Sequence, residues 1–148
     1  MARSVFFSFH YQNDIVRVNQ IRNLPEIVDK AAAGFKDSSL WEEAKKKSDD
    51  EVKKLIDNAL HGTSVTVVCI GAQTAGRKFI NYEIQKSIDR GNGIVGVQIH
   101  HLKNFGGETD GVGRTPSLLT QHGYSIYKYD DHTKLKSWIE AAAKAAGK

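Results

Sequence analysis

Glu83 is the residue of this chain whose setting most invites a chemical reading, because it is a carboxylate placed within an apolar helical stripe. In the run RKFINYEIQKSIDRGNG, residues 77–93, a helical step of roughly 100° puts Phe79, Ile80, Ile84 and Ile88 on one broad face. Tyr82 lies at the margin of that face and Glu83 projects between Phe79 and Ile80. A carboxylate buried there without a partner is costly. Two arrangements are open. In one the helix lies shallow, and Glu83 reaches solvent or pairs with Lys86 or Arg90 along the surface. In the other the helix floors a pocket.

A second group of chemically capable residues is Ser8, Phe9 and His10, at the end of the run FFSFHY. If the strand ending there is adjacent to the one preceding the Glu83 helix, these residues face Phe79 and Glu83 across one cleft. For either segment alone the aromatics serve equally well as core, with Ser8 a satisfied hydroxyl.

The elements that would position these groups follow from periodicity. VFFSF, residues 5–9, reads as a strand covered on both faces. NDIVRVNQIRN reads as a helix capped by Asn13 or Asp14 and ended by Pro25, with Ile15, Val18 and Ile21 inward. A short edge strand is placed near Gly34 and Phe35. Ser48–Glu51 fits a capping box, and Val52, Leu55, Ile56, Ala59 and Leu60 continue it as a helix over about residues 49–60. SVTVVCIG and GIVGVQIH are further buried strands flanking the Glu83 helix. Residues 103–123, rich in glycine, read as a long loop available to order on binding. YSIYKY is a last strand, and a closing helix starts near Asp130, Asp131 or Thr133 with Leu135, Trp138, Ile139 and Ala142 inward. The alternation is that of a parallel sheet between helical layers, with all strand C-termini at one edge.

The 148 residues suit one domain, 1–148, with a single core. A hydrophobic fraction of 40% and a charged fraction of 26% fit a folded globular chain. The net charge of +4 is scattered, as in WEEAKKKSDDEVKK, which reads as a solvated helix and not as a nucleic-acid footprint. It weakly favours an anionic small molecule. Cys69 is the one cysteine and sits in a strand, so a buried thiol in a reducing compartment is expected. No signal peptide and no run approaching the roughly 18 to 20 apolar residues of a membrane span is visible, so the cytoplasm is the expected location. The glycine clusters lack the GxGxxG and Walker registers. The six histidines form no HExxH pattern, and His100 and His101 point to opposite faces if their strand continues, so no metal site is expected. Ser8 lacks a nucleophile-elbow sequence.

SVFFSFHYQND resembles the opening strand and loop of TIR domains, roughly D-V-F-I-S-[YFH], and GAQTAGRKFINYEI resembles their S-x-W-C-x-x-E segment. Phe79 stands at the tryptophan of that segment, Ile80 at its cysteine, Arg77 at its serine, and Glu83 at its glutamate. The fuller run, with SLWEEAKKKSD between them, is similar to the TIR-like signal-producing subunit of the Thoeris antiphage system over residues 3 to about 100. The resemblance implies a flavodoxin-like α/β three-layer sandwich around a central parallel sheet. It also implies cleavage of the nicotinamide–ribose bond of NAD, as substrate and without a further cofactor, to give a cyclic or modified ADP-ribose signal. Glu83 would be catalytic, with Phe79 stacked on the nucleotide and Ser8, Phe9 and His10 lining its ribose and diphosphate. Trp41 is a further substrate-binding candidate, with packing as its alternative role. Self-assembly or a phage-derived trigger protein, and a separate effector that receives the signal, are the implied partners, with neither nucleic acid nor membrane among them. The alternative is a non-catalytic TIR-like adaptor or interaction module.

Overall fold

A computed structural model describes residues 3–22, 28–32, 47–104 and 106–148, and among these described residues ten elements alternate. They are β1 (Arg3–Ser8), α1 (Tyr11–Arg22), β2 (Val28–Ala32), α2 (Asp49–Leu60), β3 (Val65–Ile70), α3 (Lys78–Asp89), β4 (Gly93–Gln98), α4 (Ser117–Gln121), β5 (Ile126–Lys128) and α5 (His132–Ala145). The strands form one sheet in the order β2-β1-β3-β4-β5, and every pair is parallel. This is the flavodoxin-like α/β sandwich that the resemblance implied, and its strand C-termini share one edge.

Strand alternation sorts side chains between the two layers. Val5 and Phe7 of β1, Val65, Val67 and Cys69 of β3, and Val95 and Val97 of β4 form a core with Val18 and Ile21 of α1 and Leu135 and Ile139 of α5. The opposite face carries Phe6 with Val52, Ile56 and Leu60 of α2, and Val68, Ile70 and Ile94 with Ile80 and Ile84 of α3 and Leu119 of α4. Ser8 therefore belongs to the α3 side. In register with Val68 of β3, it lies on the central strand pair that this helix covers.

α2 matches its expected bounds, and the Ser48 hydroxyl accepts from the Glu51 amide at 3.3 Å. α5 is capped by Asp131, whose carboxylate accepts from the Lys134 amide at 2.9 Å. Other expectations need correction. α1 starts at Tyr11, so Asn13 and Asp14 lie inside its first turn and neither is its cap. The edge strand is found at Val28–Ala32, while residues 34 and 35 lie outside the described residues. The glycine-rich stretch contains a short helix, α4, whose Leu119 is fully buried, so it is more than a loop. β4 ends at Gln98, and His100 and His101 sit in a turn with ring centroids 5.1 Å apart, edge to face, rather than on opposite faces of a strand.

Candidate active site

Three segments meet at the C-terminal edge of the sheet. β1 ends in Ser8, a two-residue link of Phe9 and His10 leads into α1, and α3 begins after the turn that follows β3. α3 buries Ile80, Glu83, Ile84 and Ser87, the i, i+3, i+4, i+7 positions of one stripe, so packing α3 on the sheet carries Glu83 inward.

Glu83 is 4% exposed. The Ser8 hydroxyl donates to its Oε1 at 2.7 Å across 75 residues of chain. Neither Lys86 nor Arg90 pairs with it; the Lys86 ammonium lies over the Tyr82 ring instead. The shallow-helix arrangement is thereby excluded. Burial pushes the Glu83 carboxyl up to about 8, against the smaller opposing pull of the Ser8 hydrogen bond. At neutral pH the Glu83 carboxyl is thus mostly protonated.

Glu83 lines a cavity of about 240 Å³ together with Phe9, His10, Tyr11 and Gln12 on one lip and Arg77, Lys78, Phe79 and Ile80 on the other. His10 is held below the usual histidine range, first by burial and then by the nearby Arg77 charge, so it is neutral there. Arg77 is fastened to its own turn, its Nε donating to the Gln73 carbonyl at 3.0 Å. Behind the carboxyl, the Ser87 hydroxyl donates to the Glu83 carbonyl at 2.7 Å. That leaves Thr66 to donate to Ser87 across 2.7 Å. Asn92 in turn donates to Thr66 at 3.3 Å and to Thr63 at 3.0 Å. This buried polar chain bolts the middle of α3 to the sheet and restricts rotation of the helix that carries Glu83.

Of the residues singled out in the sequence, Ser8, Phe9, His10, Phe79 and Glu83 come together at this cavity. Trp41 lies outside the described residues. Tyr11, Gln12, Arg77 and Lys78 were not anticipated as cavity lining, although the helix-start position of the first two was a usable signal. Ser87 was legible as the i+4 neighbour of Glu83 on the same stripe. Among the described residues no group of three metal-ligating side chains is assembled, and no helix is long and apolar enough to cross a membrane.

The TIR-like domain of the Thoeris protein ThsB matches residues 6–104, a span that contains the C-terminal half of β1, the cavity residues and β4. The chain belongs to the ThsB TIR-like family. A ThsB relative from Bacillus cereus (strain MSX-D12), named "Putative cyclic ADP-D-ribose synthase ThsB1", is 47% identical over 127 residues. That alignment covers 84% of this chain and 66% of the relative, so the chain spans just under two thirds of that protein's length. The ThsB match closes as the glycine-rich stretch begins, leaving α4, β5 and α5 beyond it.

Proposed function

We propose that this chain is an NAD-consuming enzyme that breaks the nicotinamide–ribose bond and forms a cyclic or modified ADP-ribose signal in antiphage defence. The observation that carries this reading is a carboxyl 4% exposed that lines a cavity and has one hydroxyl donor at 2.7 Å. A purely adaptor domain gains nothing from such a group and bears its desolvation cost. The name of the Bacillus cereus relative supports the same chemistry.

The reaction asks little of an acid. The nicotinamide ring is already a pyridinium, so when its bond to the ribose breaks the electron pair goes to the ring nitrogen and a neutral molecule leaves. The sugar is left oxocarbenium-like. Ionised Glu83, bonded to ribose hydroxyls, gains interaction energy as that positive charge develops, the differential binding that lowers a barrier. A preorganised group of this kind is worth about 3 to 4 kcal/mol. Ser8 keeps Oε1 aimed, leaving Oε2 without a partner among the described residues and available to the sugar. Phe79 offers a ring for stacking, and Arg77 and Lys78 put positive charge beside the diphosphate. Capture of the cation by a nitrogen of the same molecule's adenine closes a ring, whereas capture by water gives linear ADP-ribose.

The cavity is smaller than the roughly 300 Å³ at which ligand pockets begin, so it takes the reacting end of the dinucleotide and leaves the remainder at the rim. A second copy of the chain is the proposed cover, with a phage-derived trigger promoting assembly and a separate effector reading the product. The buried thiol of Cys69 suits a reducing cytoplasm. The test is incubation of the purified chain with NAD, alone and with extract of phage-infected cells, following nicotinamide by chromatography and the nucleotide product by mass spectrometry. Release that depends on Glu83 supports the reading; full activity in Glu83→Gln sinks the assignment.

A further inference from the structure

The most densely bonded side chain outside the cavity is Arg17 of α1, which is 1% exposed. Its Nε donates to the Leu102 carbonyl at 2.7 Å and its Nη2 to the Glu108 carbonyl at 3.1 Å. Nη1 reaches the Asn13 carbonyl at 3.1 Å and Asp14 Oδ1 at 3.3 Å, and stands 3.1 Å from Asp110 Oδ2. Asn13 reinforces the same junction, donating to Asp110 Oδ2 at 2.9 Å and to Asp14 Oδ1 at 3.0 Å. A planar fork of five donors can hold two loop carbonyls and two carboxylates at once; an ammonium cannot.

This cluster touches the origin of both lips of the cavity. The Asp14 amide donates to the His10 carbonyl at 3.0 Å, so the first turn of α1 carries His10, Tyr11 and Gln12 with it. On the other side the Asp14 carboxylate lies against Gly71, where a Cβ would stand 2.1 Å from Oδ2. Gly71 opens the turn that ends in Arg77 and Lys78. Oδ2 has no hydrogen-bond partner among the described residues, and burial raises the Asp14 carboxyl above its ordinary range against the pull of Arg17. A poorly solvated carboxyl thus sits between the segments that lead into the two lips of the pocket.

We infer that Arg17, with Asp110 as its loop-side partner, is a positioning residue for the Glu83 pocket: it fixes the spacing between the Phe9–Gln12 lip and the Arg77–Lys78 lip. Arg17 lines no part of the cavity and touches no reacting atom, so its effect passes through Asp14. The inference rests on the enzymatic reading for its kinetic consequence and on geometry alone for its structural one.

The variants are Asp110→Ala, which leaves Arg17 paired with Asp14, and Arg17→Lys, which retains charge and loses the fork. Ile139→Val in the core beneath α5 serves as a control for general loss of stability. Hydrogen exchange is read on the full-length chain, together with steady-state nicotinamide release from NAD. In Asp110→Ala and Arg17→Lys, amide exchange across residues 9–14 and 71–77 rises while α2 is unchanged, and kcat falls about tenfold or more with a smaller change in KM. Ile139→Val leaves kcat unaltered. Exchange that rises in residues 100–110 alone, or an equal kcat loss in Ile139→Val, overturns the inference. If the wild-type chain releases no nicotinamide, the enzymatic reading is what fails, and the exchange pattern still decides whether Arg17 sets the lips.

Discussion

Replacing Glu83 by glutamine should stabilise the fold while removing the activity, and the size of the gain depends on pH. The unfolded chain releases the Glu83 proton near 4.5, whereas the folded chain keeps it to about 8. Between those values the folded state binds one more proton than the unfolded state, so stability falls as pH rises. About 2.5 pH units separate 4.5 from neutrality, and at roughly 1.4 kcal/mol per unit the wild-type loss at pH 7 is about 3 kcal/mol. Above pH 8 it levels near 5 kcal/mol. Glutamine keeps the acceptor for the Ser8 hydroxyl and carries no charge to desolvate. Urea unfolding of both proteins at pH 5, 7 and 8.5 should therefore give nearly coincident midpoints at pH 5 and a variant midpoint that exceeds wild type progressively as pH rises. Nicotinamide release should fall about 100-fold to 1,000-fold in the same variant. Superimposable unfolding curves at all three pH values would refute the premise that this carboxyl is buried and neutral at rest.

Because the carboxylate is the working form, kcat/KM for NAD should rise with pH and level off above about 8, which a pH–rate profile of nicotinamide release measures directly. Ser8→Ala removes the donor that favours the charged form, so its profile should shift to higher pH and its plateau drop about 10-fold to 100-fold, the worth of a hydrogen bond to a charged group. Phe79→Ala should raise KM about tenfold through lost stacking while Phe79→Trp retains affinity, as read by initial rates. Gly71→Ala should cost about 1 to 3 kcal/mol, seen as a lowered melting temperature, because its Cβ would overlap the Asp14 carboxylate.

Periodicity and turn chemistry make most of the architecture legible in the sequence. β1, α2, β3, α3, β4 and α5 follow from apolar runs, the Ser48 capping box and i, i+4 stripes, all of which are local properties of the chain. The anomaly of Glu83 was equally local, since a carboxylate on an apolar stripe is visible from spacing alone. The edge strand lies at Val28–Ala32, several residues before the position expected near Gly34 and Phe35, because the run VDKAA carries a single β-branched residue and no aromatic to mark it. The anchoring of Leu102 and Glu108 is not legible in the sequence either, because it depends on a guanidinium 85 and 91 residues earlier.

Whether Glu83 met solvent, a lysine or a hydroxyl was decided only by the order in which the strands assembled. Placing β1 beside β3 put Ser8 beneath α3, and no periodicity within either segment specifies that neighbour. The same holds for the Asp14–Arg17–Asp110 junction and for the elevated proton affinity of Glu83. Spacing along a helix tells which side chains share a face, but desolvation and hydrogen bonding are set by what lies opposite that face, and this is a property of the packed sheet.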